Sequence, residues 1–161
     1  MNQKKQFSAE DKKLLLEQYK IAVEMADRIS ARREGANKIF LSANSIIFAF
    51  LATQTTFSAV HIFISIFGIL LAIIWAGIIK NYRSLNSAKY AVINEIEEHL
   101  PWEVYKNEWE KLKKGKDKKV YAKLTVVEQK LPWIFSGFYI ILLIWVLINF
   151  YKNTLIGFMC K

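Results

Sequence analysis

Two stretches without a single Asp, Glu, Lys or Arg, residues 39–79 and 131–151, constrain this chain more than any other feature. The 23 basic and 14 acidic side chains of the 161-residue sequence all fall outside them. A soluble domain interleaves charged and apolar residues along each element, because every element needs a wet face. Uncharged apolar runs beyond about 18 residues read as membrane-spanning helices instead. The first stretch, 41 residues, is about twice what one crossing requires and predicts a hairpin of two spans. The second, 21 residues, predicts a third. A secreted soluble protein, a disulfide scaffold and a large soluble enzyme are thereby excluded, and the lone Cys160 can form no internal disulfide.

Orientation follows from counting Lys and Arg in the flanking segments. Residues 1–38 carry 9 basic and 6 acidic groups, residues 80–130 carry 12 and 8, and the hairpin tip around Ala52 to His61 carries none. Both charged segments are therefore expected in the cytoplasm, with the hairpin tip and the C-terminus outside. The expected layout is a cytoplasmic amphipathic helix (1–38), a transmembrane hairpin (39–79), a cytoplasmic helix and basic loop (80–130), a third transmembrane helix (131–151) and an external tail (152–161). The net charge of +9 needs no nucleic acid to explain it, and no specific DNA sequence recognition is expected.

Ser8 with Asp11 three residues on is a capping-box pattern that starts the first helix, and Thr125 with Glu128 is a second one. Leu15, Tyr19, Ala22, Ala26, Ile29 and Arg33 then step by four and three, as in a coiled-coil seam. Tyr82, Leu85, Lys89, Val92, Ile96 and His99 repeat that spacing on the helix leaving the hairpin, before Pro101. The hairpin brings the inner ends of both helices together, which predicts an antiparallel cytoplasmic stem. The fold class is an all-α membrane protein of three transmembrane helices, a hairpin plus one, with that stem.

No catalytic constellation is visible, no metal site and no cofactor motif; His61 and His99 are expected a membrane thickness or more apart. A lipid-modifying enzyme would lack any acid, base or paired histidine inside a span. The informative residues are polar ones within the first span: Asn44, Ser45, Gln54 and Thr56. Small residues at Ser45, Ala49, Ala52 and Thr56 suit close helix packing, and the same face could instead line a water-filled path between subunits. Arg32, Arg33, Lys38, Lys80 and Arg83 border the spans. They serve as snorkelling anchors, or, in a ring of subunits, as rings of positive charge that favour anions. Trp75, Trp133 and Trp145 read most simply as interfacial belts.

Asp27-Arg28-Ile29-Ser30-Ala31-Arg32-Arg33, Ala36-Asn37 and Phe40-Leu41 before the hairpin, with Tyr82-Arg83-Ser84-Leu85-Asn86 after it, resemble the SLATT class over roughly residues 14–111. The resemblance implies a small bacterial pore-forming effector of anti-phage systems such as CBASS or Hailong. It would work in the lipid bilayer as a homo-oligomer, with a nucleotidyltransferase or a nucleotide-derived ligand as partner. The third span departs from the minimal two-span plan. The reading is a gated pore that depolarises the membrane and arrests growth. Its stem, through Leu15, Tyr19, Ala22, Ile29, Tyr82, Leu85, Val92 and Ile96, is the gating interface. The alternative is a non-conducting, membrane-tethered module that recruits or regulates a cytoplasmic enzyme.

Overall fold

The computed structural model describes residues 8–54, 58–117 and 124–159, with side chains of the last segment described from 126 to 152. Four α-helices follow in order: α1 (Ala9–Ala52), α2 (Ala59–Glu97), α3 (Val104–Lys111) and α4 (Leu124–Met159). There is no strand among the described residues. Three of the helices, α1, α2 and α4, are long and apolar enough to cross a membrane. At 1.5 Å per residue the 44 residues of α1 measure about 66 Å, far more than the roughly 30 Å of a hydrocarbon core. α1 and α2 therefore continue as helices beyond the charge-free stretch.

The ends of the helices follow from local chemistry. The Ser8 and Asp11 capping box forms as expected: Asp11 N–H donates to Ser8 Oγ at 3.1 Å and Ser8 N–H to Asp11 Oδ2 at 3.0 Å. The Thr125 side chain lies outside the described residues. α2 stops at Glu97, four residues before Pro101, whose ring disfavours helix in the residue ahead of it. After α3 and Leu112 come three residues of positive φ, Lys113, Lys114 and Gly115, at 51°, 54° and 66°. Pro132 lies inside α4 and is fully buried.

The chain divides into two compact units. The first holds the residues up to Arg33 together with Asn81–Leu124. Ala26 and Ile29 of α1 and Ile93 and Glu97 of α2 are its buried centre. Tyr105 of α3 meets Tyr90 of α2 edge to face, ring centroids 5.5 Å apart.

The second unit holds Glu34–Lys80 and the chain from Thr125 onward. Its core is aromatic and joins all three apolar helices. Trp75 of α2 stacks on Phe40 of α1 at 5.7 Å and tilts against Phe135 of α4 at 5.8 Å. Phe48 of α1 stacks on Tyr139 of α4 at 5.3 Å. Trp75 is thus buried in the core and does not belong to an interfacial belt, because its indole N–H finds a partner in Asn37 Oδ1 at 2.9 Å. Trp133 and Trp145 are exposed, as a belt requires. α4 comes so close to α2 that a Cβ on Gly68 would lie 2.5 Å from Tyr139 Cζ. Glycine is required there by contact with a buried ring.

Gly68→Val should destabilise this unit by about 2 kcal/mol through overpacking, read as a lower thermal midpoint by circular dichroism in detergent. Tyr139→Phe keeps the ring and should lose about 1 kcal/mol with its hydroxyl. An unchanged midpoint in Gly68→Val would mean that α2 and α4 do not meet at this point, and one in Tyr139→Phe that the bond to Asn44 of α1 adds nothing.

Candidate functional site

Within the second unit α1 has two different faces. Asn37, Phe40, Asn44 and Phe48 recur every three or four residues and pack inward. Lys38, Ser42, Ser45, Ala49 and Ala52 recur at the same spacing and are all exposed. Leu41, 45% exposed, is the one large apolar side chain on that outer strip, and Ile39, Ile46 and Phe50 are exposed beside it. α2 and α4 are unlike it: Phe63, Phe67, Leu70, Phe138, Ile141 and Ile148 stand exposed on them, a surface suited to lipid tails.

The four polar candidates separate accordingly. Asn44 is fully buried; its Nδ2 donates to Phe40 O at 2.7 Å and its Oδ1 accepts from Tyr139 Oη at 2.9 Å. Ser45, one residue on, is turned about 100° away. It is exposed and donates to Leu41 O at 2.9 Å. Gln54 is exposed beyond the end of α1, with Nε2 3.3 Å from Thr53 Oγ1. Thr56 lies outside the described residues. Ser45 and the small residues around it form one surface, whereas Asn44 belongs to the core. His61 is also buried, accepting Ser58 N–H at Nδ1, 3.2 Å, in the turn that opens α2.

Of the basic candidates, Arg32, Lys38, Lys80 and Arg83 are exposed and Arg33 is half-buried. Lys38 pairs with Glu34 at 2.7 Å, an i, i+4 contact in solvent worth a few tenths of a kcal/mol. Among the stem candidates Ile29 is buried, while Leu15, Tyr19, Ala22, Tyr82 and Ile96 are half-buried. Leu85 and Val92 are exposed.

The first unit holds a site that sequence reasoning missed. Glu97 is wholly inaccessible, and a carboxylate out of water is costly unless donors surround it. It has three. Tyr19 Oη donates to Oε1 at 2.8 Å, Tyr105 N–H to Oε1 at 3.0 Å and Lys106 N–H to Oε2 at 3.3 Å. Those two amides belong to the first turn of α3, which otherwise lacks a side-chain cap at Glu103. Glu97 therefore does from α2 what an N-cap residue does locally, at the positive end of the helix dipole. Burial, then the bond to and charge of Glu97, push the Tyr19 phenol above its ordinary range. Burial, then Tyr90 and the nearby carboxylates, push Tyr105 up as well. Both tyrosines lie outside the charge-free stretches. Beside this cluster runs an open groove of about 460 Å³ between α1 and α3, lined by Tyr19, Val23, Asp27, Val104, Tyr105 and Glu108 among others.

Glu97→Ala should cost the first unit about 3 kcal/mol, with faster hydrogen exchange at the Tyr105 and Lys106 amides as the first sign. The raised phenols favour the folded state while protonated. That contribution is complete below the ordinary phenol pKa of about 10 and disappears as pH rises through the higher folded values. Alkaline titration above about pH 10 should therefore unfold this unit, and Tyr19→Phe should blunt the dependence. A stability independent of pH in that window would remove Tyr19 and Tyr105 from the account.

Comparisons with curated proteins and with solved structures find no match. A family model does match, over residues 16–148, which takes in α2 and α3 whole and most of α1 and α4. With three apolar helices, long helical extensions and this coverage, the chain belongs to the octameric membrane protein family (8xMP).

Proposed function

We propose that the chain is the subunit of a homo-oligomeric membrane pore, in which α1 of each copy contributes its small, polar outer strip to a shared water-filled path. The observation that carries this reading is the contrast between that mainly small and polar strip and the large apolar side chains exposed beside it on α1 and along α2 and α4. Three helices in one subunit cannot enclose an aqueous channel, and the family's octameric name supplies the missing copies. Exposed Lys38, Lys80 and Arg83 would repeat around the axis as positive rings, which favours anions over cations. The resemblance to SLATT effectors extends the proposal to biology. The protein acts as a channel and not as an enzyme, in a bacterial inner membrane, with the charged helices in the cytoplasm and the C-terminus outside. A nucleotide-derived ligand or a partner enzyme opens it by binding one arrangement of those helices better than the other. The opened membrane depolarises and the infected cell stops growing.

One observation favours the second reading, a non-conducting tethered module: Asn44 and Ser65 of the apolar helices already satisfy their polar groups inside the subunit. The two readings part in a liposome flux assay with separate chloride and potassium gradients. The pore predicts chloride flux that drops about tenfold in Ser45→Leu and Ala49→Leu, with helicity and assembly intact. Asn44→Leu should instead disturb folding. An assembled protein that passes neither ion, with or without extract of phage-infected cells, would leave the tethered module standing.

A further inference from the structure

The charged unit exposes apolar surface that a solvated helical domain has no reason to keep. Ile21 and Met25 of α1 are 56% and 44% exposed, and Leu85 and Val92 of α2 are 47% and 48% exposed. They form one patch, because Lys89, which lies between Leu85 and Val92 along α2, places its ammonium 3.8 Å from Met25 Sδ. The patch lies on one side of the α1–α2 pair. The groove beside α3 lies on the other: Val23 and Met25, two residues apart, point about 160° from one another around α1. On α2, likewise, Glu97 bonds to α3 whereas Leu85 and Val92 face away from it.

The unpaired charges that flank the α1 side of the patch and those that line the groove differ in sign, although Glu95 adds one carboxylate at the far edge of the patch. Arg32, two turns beyond Met25, and Lys89 lie at the patch, and neither has an ion-pair partner among the described residues. Asp27 and Glu108 line the groove and also have none there, whereas the two other charged residues of the groove, Lys20 and Glu24, are paired with Glu17 and Arg28. An apolar patch with cationic edges on one side, and an apolar recess with anionic edges on the other, is the arrangement a head-to-tail ring requires.

We infer that in the oligomer the Ile21, Met25, Leu85 and Val92 patch of one copy seats in the Tyr19, Val23, Val104 and Tyr105 groove of the next. Arg32 and Lys89 then approach Asp27 and Glu108 of that neighbour. The inference rests on the oligomeric part of the reading above and holds whether or not the assembly conducts. It also gives the α3 cap a purpose: by fixing α3 through its amides, Glu97 forms one wall of the receiving groove.

Disulfide cross-linking tests this in membranes, in full-length protein carrying Cys160→Ser. Met25→Cys combined with Val104→Cys, or Val92→Cys combined with Glu108→Cys, should give a ladder of cross-linked species on oxidation, while each single variant gives none. All four positions are exposed in the subunit, so the substitutions leave its core intact. A dimer from Met25→Cys or Val92→Cys alone would mean that the patch meets itself, and the proposal fails. Native mass of the same preparations separates the remaining outcomes. An oligomer in which neither pair cross-links overturns this interface alone, and a monomer overturns the oligomeric reading along with it.

Discussion

A carboxamide placed among hydrocarbon chains must find a donor and an acceptor within its own protein, since no water is there to supply them. The apolar unit is organised around that demand. Asn44 within the charge-free stretch and Asn37 at its charged margin lie two turns apart on one face of α1; Asn37 accepts from Trp75 of α2 and Asn44 from Tyr139 of α4. Two amides thereby seat one helix against two others. The aromatic rings follow the polar pairs: Phe40 lies on Trp75, Phe48 lies on Tyr139, and Phe135 closes the space beside Trp75. Apolar contact alone is a weak guide in a membrane, where lipid tails compete equally for every side chain. Hydrogen bonds and the close approach at Gly68 provide the discrimination that the hydrophobic effect provides in water.

The charged unit meets the same demand with higher stakes, because its buried acceptor is a carboxylate. Glu97 is tolerated out of water since its oxygens receive a phenol and two amides at a helix start, where the backbone dipole also favours negative charge. Such a group is directional where packed leucines are not. It fixes α3 in one orientation, and the short helix, only 8 residues long, would be marginal in isolation.

The three spans and the capping box at Ser8 were legible in the sequence because charge segregation and cap chemistry are local signals, whereas α3 was not. The polar partners were not. Nothing in the spacing of Asn44 or Glu97 announces Tyr139 or Tyr105, which lie 95 and 8 residues away along the chain. Trp75 read as an interfacial residue because tryptophan usually is one, and only the opposing amide shows why it lies inside. On the part of α2 in the charged unit the hydropathic seam picks out Leu85 and Val92, whereas the fully buried positions are Ile93 and Glu97. A carboxylate adjacent to an acidic run looks solvated until its donors are known. Glu97 does fall four residues after Ile93, in phase with Tyr90 and Asn86, and that phase was the available clue.

The pairing of Asn37 and Asn44 with two different helices also sets what kinds of genetic change α1 can absorb. Both amides must point inward together, and they do so because seven residues separate them, close to two complete turns. Replacing an exposed residue between them leaves that phase untouched. Inserting or deleting a single residue there rotates one amide by about 100° relative to the other, so only one can keep its partner. Lineages of this protein should therefore diverge by substitution along this stretch while its length stays constant, and gaps should accumulate in the connections between helices.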